Sequence, residues 1–229
     1  MPDLPMLETI LAAKLGDDGR TDSRGRGEDA TVNRLEDLSA EITGKEAAVF
    51  MPTGTFANST AIMTCCHAGD KVLVEEEQHI LLTEKFVFEK DYGRLIPVCY
   101  RLDHKHMPDP EEIDRLLSES GSKLVCLENS HNSAGGYCID CSTLEKIRKV
   151  ADKHGAWIHM DGARLFHAAA YLDTTASQLC QYADSVMFCV SKGLGAPIGS
   201  LLCSTEDFCK KARENRKLFG GVMRQAGVA

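Results

Sequence analysis

Short apolar runs rich in β-branched residues alternate along this chain with longer segments of helical periodicity. Runs of the first kind stand at Ala47–Met51, Lys71–Glu75, Leu95–Tyr100, Leu124–Glu128, Trp157–Asp161, Ser185–Val190 and Ser200–Ser204, and each predicts a strand. The second kind predicts helices over Thr31–Thr43, Thr55–Cys66, Pro110–Ser120, Ser142–His154 and Thr205–Lys217. Two of these helices carry start signals. Asp109-Pro110-Glu111-Glu112 sets an N-cap acid before a proline at the first helical position. Ser142-Thr143-Leu144-Glu145 has the form of a capping box, and Gly155 closes that helix. Strands alternating with helices are the mark of an α/β domain, here with a mainly parallel seven-stranded sheet flanked by helices. Residues 1–30 read as an N-terminal helix and loop, with Gly16–Gly27 a flexible loop rather than a domain linker. No internal repeat or low-complexity segment is visible.

Composition narrows the class of partner. With 43% hydrophobic and 26% charged residues, the 229-residue chain has an ordinary globular make-up and room for an ample core. A net charge of −8 disfavours nucleic acid and anionic membrane. No apolar run approaches a membrane span, and the first sixteen residues lack a signal pattern, so a cytosolic location is the default expectation. The ten cysteines do not suggest a disulfide scaffold. Cys99, Cys126, Cys189 and Cys203 fall inside strand-like runs, where cysteine acts as a small hydrophobe. Cys138 and Cys141 form one CxxC with no second pair, which is short of the four ligands of a structural zinc site. The expectation is a reduced set of thiols and no metal.

Chemistry concentrates at strand ends. Lys192 follows the run to Val190 and is itself followed by Gly193, Gly195 and Gly199; Asp161 ends an earlier strand, before Gly162-Ala163-Arg164. Such a pair suits pyridoxal phosphate, whose aldehyde needs an amine for a Schiff base and whose pyridine nitrogen needs a carboxylate. A lysine closing an apolar strand is expected to be partly desolvated, which favours its free amine; the bland alternative is a solvated loop lysine. Asp161 and Arg164 equally allow a structural ion pair. Thr53-Gly54-Thr55 opens a helix after a strand and bares backbone N–H groups to an anion, though a plain connecting turn reads the same way. His79 follows another strand end, where it could stack on a flat ring and act as a base, or be merely structural.

Taken together and in order, these residues resemble fold-type I pyridoxal phosphate enzymes. The segments GEDATVNRLEDLSAEITGKEAAVFMPTGTFAN, LVCLENSHNSAGG, HMDGARLFHAA, DSVMFCVSKGLGAPIGSLL and RKLFGGVMRQAG are similar to the threonine aldolase family from about Leu7 onward. That resemblance implies catalytic roles for Lys192, His79 and Asp161. Lys192 would bond the cofactor aldehyde, Asp161 hold the pyridinium nitrogen, and His79 stack on the ring near the substrate hydroxyl. Arg164 would contact the phenolate oxygen, and Thr53, Gly54, Thr55 and Ser191 the phosphate. Arg224 would reach the phosphate, across a subunit boundary in a homodimer or homotetramer, with Lys217 a weaker candidate. The implied reaction is a retro-aldol cleavage of a small-molecule amino acid, threonine or a relative, into glycine and an aldehyde. A β-elimination, racemisation or transamination on the same cofactor, or a non-catalytic remnant, are the other readings.

Departures from the family pattern set further expectations. The Gly16–Gly27 loop carries extra residues, Ala30 replaces a proline, and Lys85-Phe86 stand where glycines are usual, so that turn should differ. Residues 31–229 are expected to be the cofactor-binding large domain. The family's C-terminal small domain has no counterpart before Ala229, which predicts a fragment with uncovered apolar surface.

Overall fold

The computed structural model describes residues 2–23 and 25–228. Among them, seven strands form one sheet: β1 Ala47–Met51, β2 Lys71–Glu75, β3 Ile96–Tyr100, β4 Leu124–Glu128, β5 Trp157–Asp161, β6 Ser185–Cys189 and β7 Ser200–Ser204. Their order is β1-β7-β6-β5-β4-β2-β3. β7 runs antiparallel to both neighbours, and the other pairings are parallel. The expected mainly parallel α/β sheet is therefore present. β6 ends at Cys189, one residue early, because Val190 turns away to donate its N–H to Gly199 O at 3.1 Å.

Alternation along the strands assigns the two faces. Ala48, Phe50, Leu73, Val125, Leu127, Ile158 and Met160 pack on one side, and Val49, Met51, Val72, Val74, Leu124 and Cys126 on the other. The first face is covered by α2 Ala30–Thr43, α4 Pro110–Ser120, α5 Cys141–His154 and the short α6 Leu165–Tyr171 and α7 Ala176–Cys180. The second is covered by α3 Gly54–Cys65 and α8 Glu206–Leu218. Fully burying one side chain such as Ile62 or Leu127 contributes about 1.5–3 kcal/mol, opposed by the entropy of ordering it.

The start of α5 differs from expectation. Asp140, not Ser142, is its N-cap, accepting Thr143 N–H at 2.7 Å, while Glu145 pairs with Lys149 at 2.7 Å. Gly155 closes the helix at φ 62° as expected, and Asp109 caps α4. The N-terminal helix, α1 Leu4–Ala12, buries none of its residues, and Leu11 is 91% exposed. No helix among the described residues is long and apolar enough to cross a membrane.

Candidate active site

Turns leaving the carboxyl ends of β1, β2, β4, β5 and β6 converge on one cavity of about 570 Å³. This is the edge where open α/β sheets present ligands, because the connecting loops are free to vary while the strands stay fixed.

β1 leads into a helix N-terminus at the cavity. Pro52 leads to Thr53, whose extended backbone caps α3 while its Oγ1 accepts Phe56 N–H at 3.1 Å. The N–H groups of Gly54 and Thr55, in the first helical turn, have no partner within the helix and lie at its positive end. A Cβ on Gly54 would sit 2.8 Å from Cys189 Sγ and 3.0 Å from Met187 Cε, so only glycine lets α3 start this close to the end of β6. Thr53, Gly54 and Thr55 all line the cavity.

β5 supplies the acid. Asp161 is 2% exposed, with Oδ1 accepting Ala163 N–H at 3.0 Å and Oδ2 accepting from Asn58 Nδ2 at 2.8 Å. Burial pushes its carboxyl up to about 6, reinforced by the charges of Glu128 and Glu84 and opposed by the bonds from Asn58 and Ala163. Glu84 ends a single π-helical turn, Ile80–Glu84, and burial also raises its carboxyl. Its Oε1 lies 3.2 Å from His79 Nδ1. Glu128, paired in register with Asp161, accepts the backbone N–H of His79 at 2.9 Å and of Asn132 at 2.8 Å. Asn132 Oδ1 in turn accepts from Arg164 Nη1 at 3.1 Å. One buried carboxylate thus sets the backbone of two cavity residues, and through Asn132 it reaches a third. Arg164 bonds Asn132 instead of closing an ion pair with Asp161.

Ligand-type atoms of His79, Glu84 and Asp161 lie within 4.8 Å of one another. Asn58 occupies the space between the two carboxylates, 3.1 Å from Glu84 and 2.8 Å from Asp161. It puts an N–H donor where a cation would require acceptors, so this cluster reads as a hydrogen-bonded network.

Lys192 and Ser191 line the same cavity from the turn between β6 and β7. Both are exposed. The expected shielding of Lys192 fails because β6 ends at Cys189 and the lysine stands three residues beyond it in open turn. Gly199, at φ 107°, faces the Phe50 ring and returns the chain into β7.

Eight of the ten residues singled out for the site therefore meet: Thr53, Gly54, Thr55, His79, Asp161, Arg164, Ser191 and Lys192. Arg224 does not line the cavity. Its Nη1 lies 2.8 Å from Asp17 Oδ2 in the Gly16–Gly27 loop, and Asp18 N–H bonds its carbonyl at 2.7 Å. Lys217 lies exposed on α8 and also outside the cavity. Asn58, Glu84, Glu128 and Asn132 line the cavity without having been singled out. Glu128 carried a usable signal, because it ends a strand in an acid just as Asp161 does.

Known proteins align with this picture. The sequence profile of the beta-eliminating lyases matches residues 3–229. Low-specificity L-threonine aldolase 1 of Arabidopsis thaliana is 36% identical over 99% of this chain and 64% of its own length. Low specificity L-threonine aldolase of Escherichia coli O157:H7 is 36% identical over 99% of this chain and 67% of its own. The chain thus spans 64% and 67% of these two relatives, and 55% of a third, from Caenorhabditis elegans. The structure of Leishmania major threonine aldolase superposes with a TM-score of 0.79 at 22% identity, over all of this chain and 67% of that one, and shows the same fold.

Proposed function

Because the chain belongs to the beta-eliminating lyase family, we propose that it forms the pyridoxal phosphate site of a lyase cleaving threonine or related β-hydroxy amino acids into glycine and an aldehyde. Relatives named threonine aldolases support the substrate class. The observation that carries the reading is the convergence, in one cavity, of a helix N-terminus with bare N–H groups, a buried carboxylate and a lysine. That donor set fits the cofactor part by part: amides for a phosphate, Asp161 for a protonated ring nitrogen, Lys192 for an aldehyde.

When bound, the group supplies an electron sink for the charge left on Cα as the Cα–Cβ bond breaks. The protein's part is binding and proton handling. Gly54 and Thr55 hold the phosphate by their backbone N–H groups, with Thr53 and Ser191 hydroxyls beside them. Asp161 accepts from the ring nitrogen and keeps it protonated. Arg164, steadied by Asn132, neutralises a phenolate or carboxylate oxygen. His79 is steadied at Nδ1 by Glu84, which leaves Nε2 to take the proton of the substrate hydroxyl. Lys192 would hold the cofactor through its aldehyde, its free amine being the group suited to bond it.

The reading includes a cytosolic enzyme, since all ten cysteines are free. It also includes a homodimer or homotetramer, since α1 exposes Leu4, Leu7 and Leu11. Residues 31–229 are the cofactor-binding large domain in this scheme. Absorbance and product analysis test it. Purified protein titrated with pyridoxal phosphate should develop a visible band that Lys192→Ala abolishes, and threonine should yield glycine and acetaldehyde. A keto acid and ammonia instead point to β-elimination. Absence of the band refutes the reading.

A further inference from the structure

Behind the cavity floor a line of buried polar groups runs from Ser185 through His159 and Asn58 to Asp161. His159 stands two residues before Asp161 on β5, so both side chains leave the same face of the strand. Its ring is wholly buried. Nδ1 lies 2.9 Å from Ser185 Oγ, and Nε2 lies 3.0 Å from Asn58 Oδ1. Asn58, 1% exposed, aims its Nδ2 at Asp161 Oδ2 at 2.8 Å and at the two Glu84 oxygens at 3.1 and 3.2 Å.

Hydrogen-bond logic fixes every direction in this line. Ionised carboxylates only accept, so the amide nitrogen of Asn58 faces them and its oxygen faces His159. That oxygen also only accepts, so His159 carries its proton on Nε2 and receives one at Nδ1 from the Ser185 hydroxyl. Burial agrees with a single-proton ring, pushing the imidazole down to about 4. The order is hydroxyl to imidazole to amide to carboxylate.

We propose that His159 is a positioning residue that, through Asn58, holds in place the N–H donor keeping Asp161 ionised and facing the cavity. The inference rests on the reading that Asp161 holds the cofactor's ring nitrogen. Several groups face Asp161. They are Glu128 and the Cys126 thiol on β4 and Glu84 and His79 after β2, while Arg164 and Lys192 stand elsewhere on the cavity wall. Burial, Glu128 and Glu84 oppose its charge; the N–H groups of Asn58 and Ala163 favour it. Without the Asn58 donor the carboxyl titrates at higher pH, and a ligand that needs the carboxylate is retained only at higher pH.

Two amides at position 159 separate this role from simple packing. Glutamine reaches as far as imidazole Nε2, whereas asparagine reaches only as far as Nδ1. Dissociation of pyridoxal phosphate from the full chain is followed by the visible band across a range of pH, with circular dichroism and thermal unfolding as controls. His159→Gln should keep the wild-type midpoint pH for retention. His159→Asn and Asn58→Ala should move it upward and weaken retention at neutral pH on the order of tenfold. The double variant should move no further than Asn58→Ala alone. Ser185→Ala, which leaves the ring but removes its donor, should shift the midpoint the same way by less. It provides the test where either amide disturbs the fold. Equal behaviour of glutamine and asparagine, or a loss at every pH with the midpoint unmoved, overturns the inference alone. A wild-type chain that takes up no cofactor overturns it together with the reading beneath it.

Discussion

Asp161 carries a desolvated charge that costs the fold something. Its folded carboxyl, at about 6, lies above the ordinary 3.8. The sign follows from linkage: the proton is bound more tightly in the folded state, so the associated stability is full below 3.8 and is lost as pH rises through about 6. Asp161→Asn should therefore stabilise the cofactor-free protein above neutral pH by about 1 kcal/mol, because the relieved charge penalty of roughly 3 kcal/mol is offset where its amide nitrogen meets an N–H donor and one hydrogen bond is lost. The gain should fade toward acid pH, as thermal unfolding across pH will show, while cofactor retention is lost. Gly54→Ala carries the opposite signature. Its Cβ meets Cys189 Sγ and Met187 Cε, so a loss of about 1–3 kcal/mol should accompany weaker phosphate binding. Asp161 and Lys192 were legible in the sequence because a strand ends near each of them. Asn58 was not, since its role arises only where α3 crosses β5 and brings together residues 103 apart in the chain. Exposure of Lys192 was misread for a related reason, because strand length by itself does not show where the turn begins.

Among the elements, every strand and the five long helices were readable, as their apolar periods run for several residues or turns. α6 and α7 span seven and five residues, too few turns for a helical period to declare itself. The cap of α5 shows how a correct pattern can mislead. Ser142 and Glu145 have the spacing of a capping box, yet Asp140 comes first and takes Thr143 N–H. Asp140→Ala should cost about 1 kcal/mol. Ser142→Ala should change stability by less than about 0.5 kcal/mol, since it then lies inside the helix. Denaturant unfolding of the two variants distinguishes these caps.

For the molecule as a whole, the thiols report on how tightly the layers close. Cys66, Cys180 and Cys209 are each pushed up to about 12 by burial, and Cys126 and Cys203 are also raised. A thiol reagent should label Cys99, Cys138 and Cys141 in the folded protein, and these five only on unfolding. Mass spectrometry of the labelled peptides checks this. The single antiparallel strand has a temporal consequence. β1, which leads into the Thr53-Gly54-Thr55 turn, pairs in the sheet with β7, a strand made 149 residues after β1 is complete. During synthesis β1 thus emerges with α2 and α3 to pack against but no strand to pair with, until Ser200–Ser204 is made. At this edge the first strand made takes its sheet partner from the last one made.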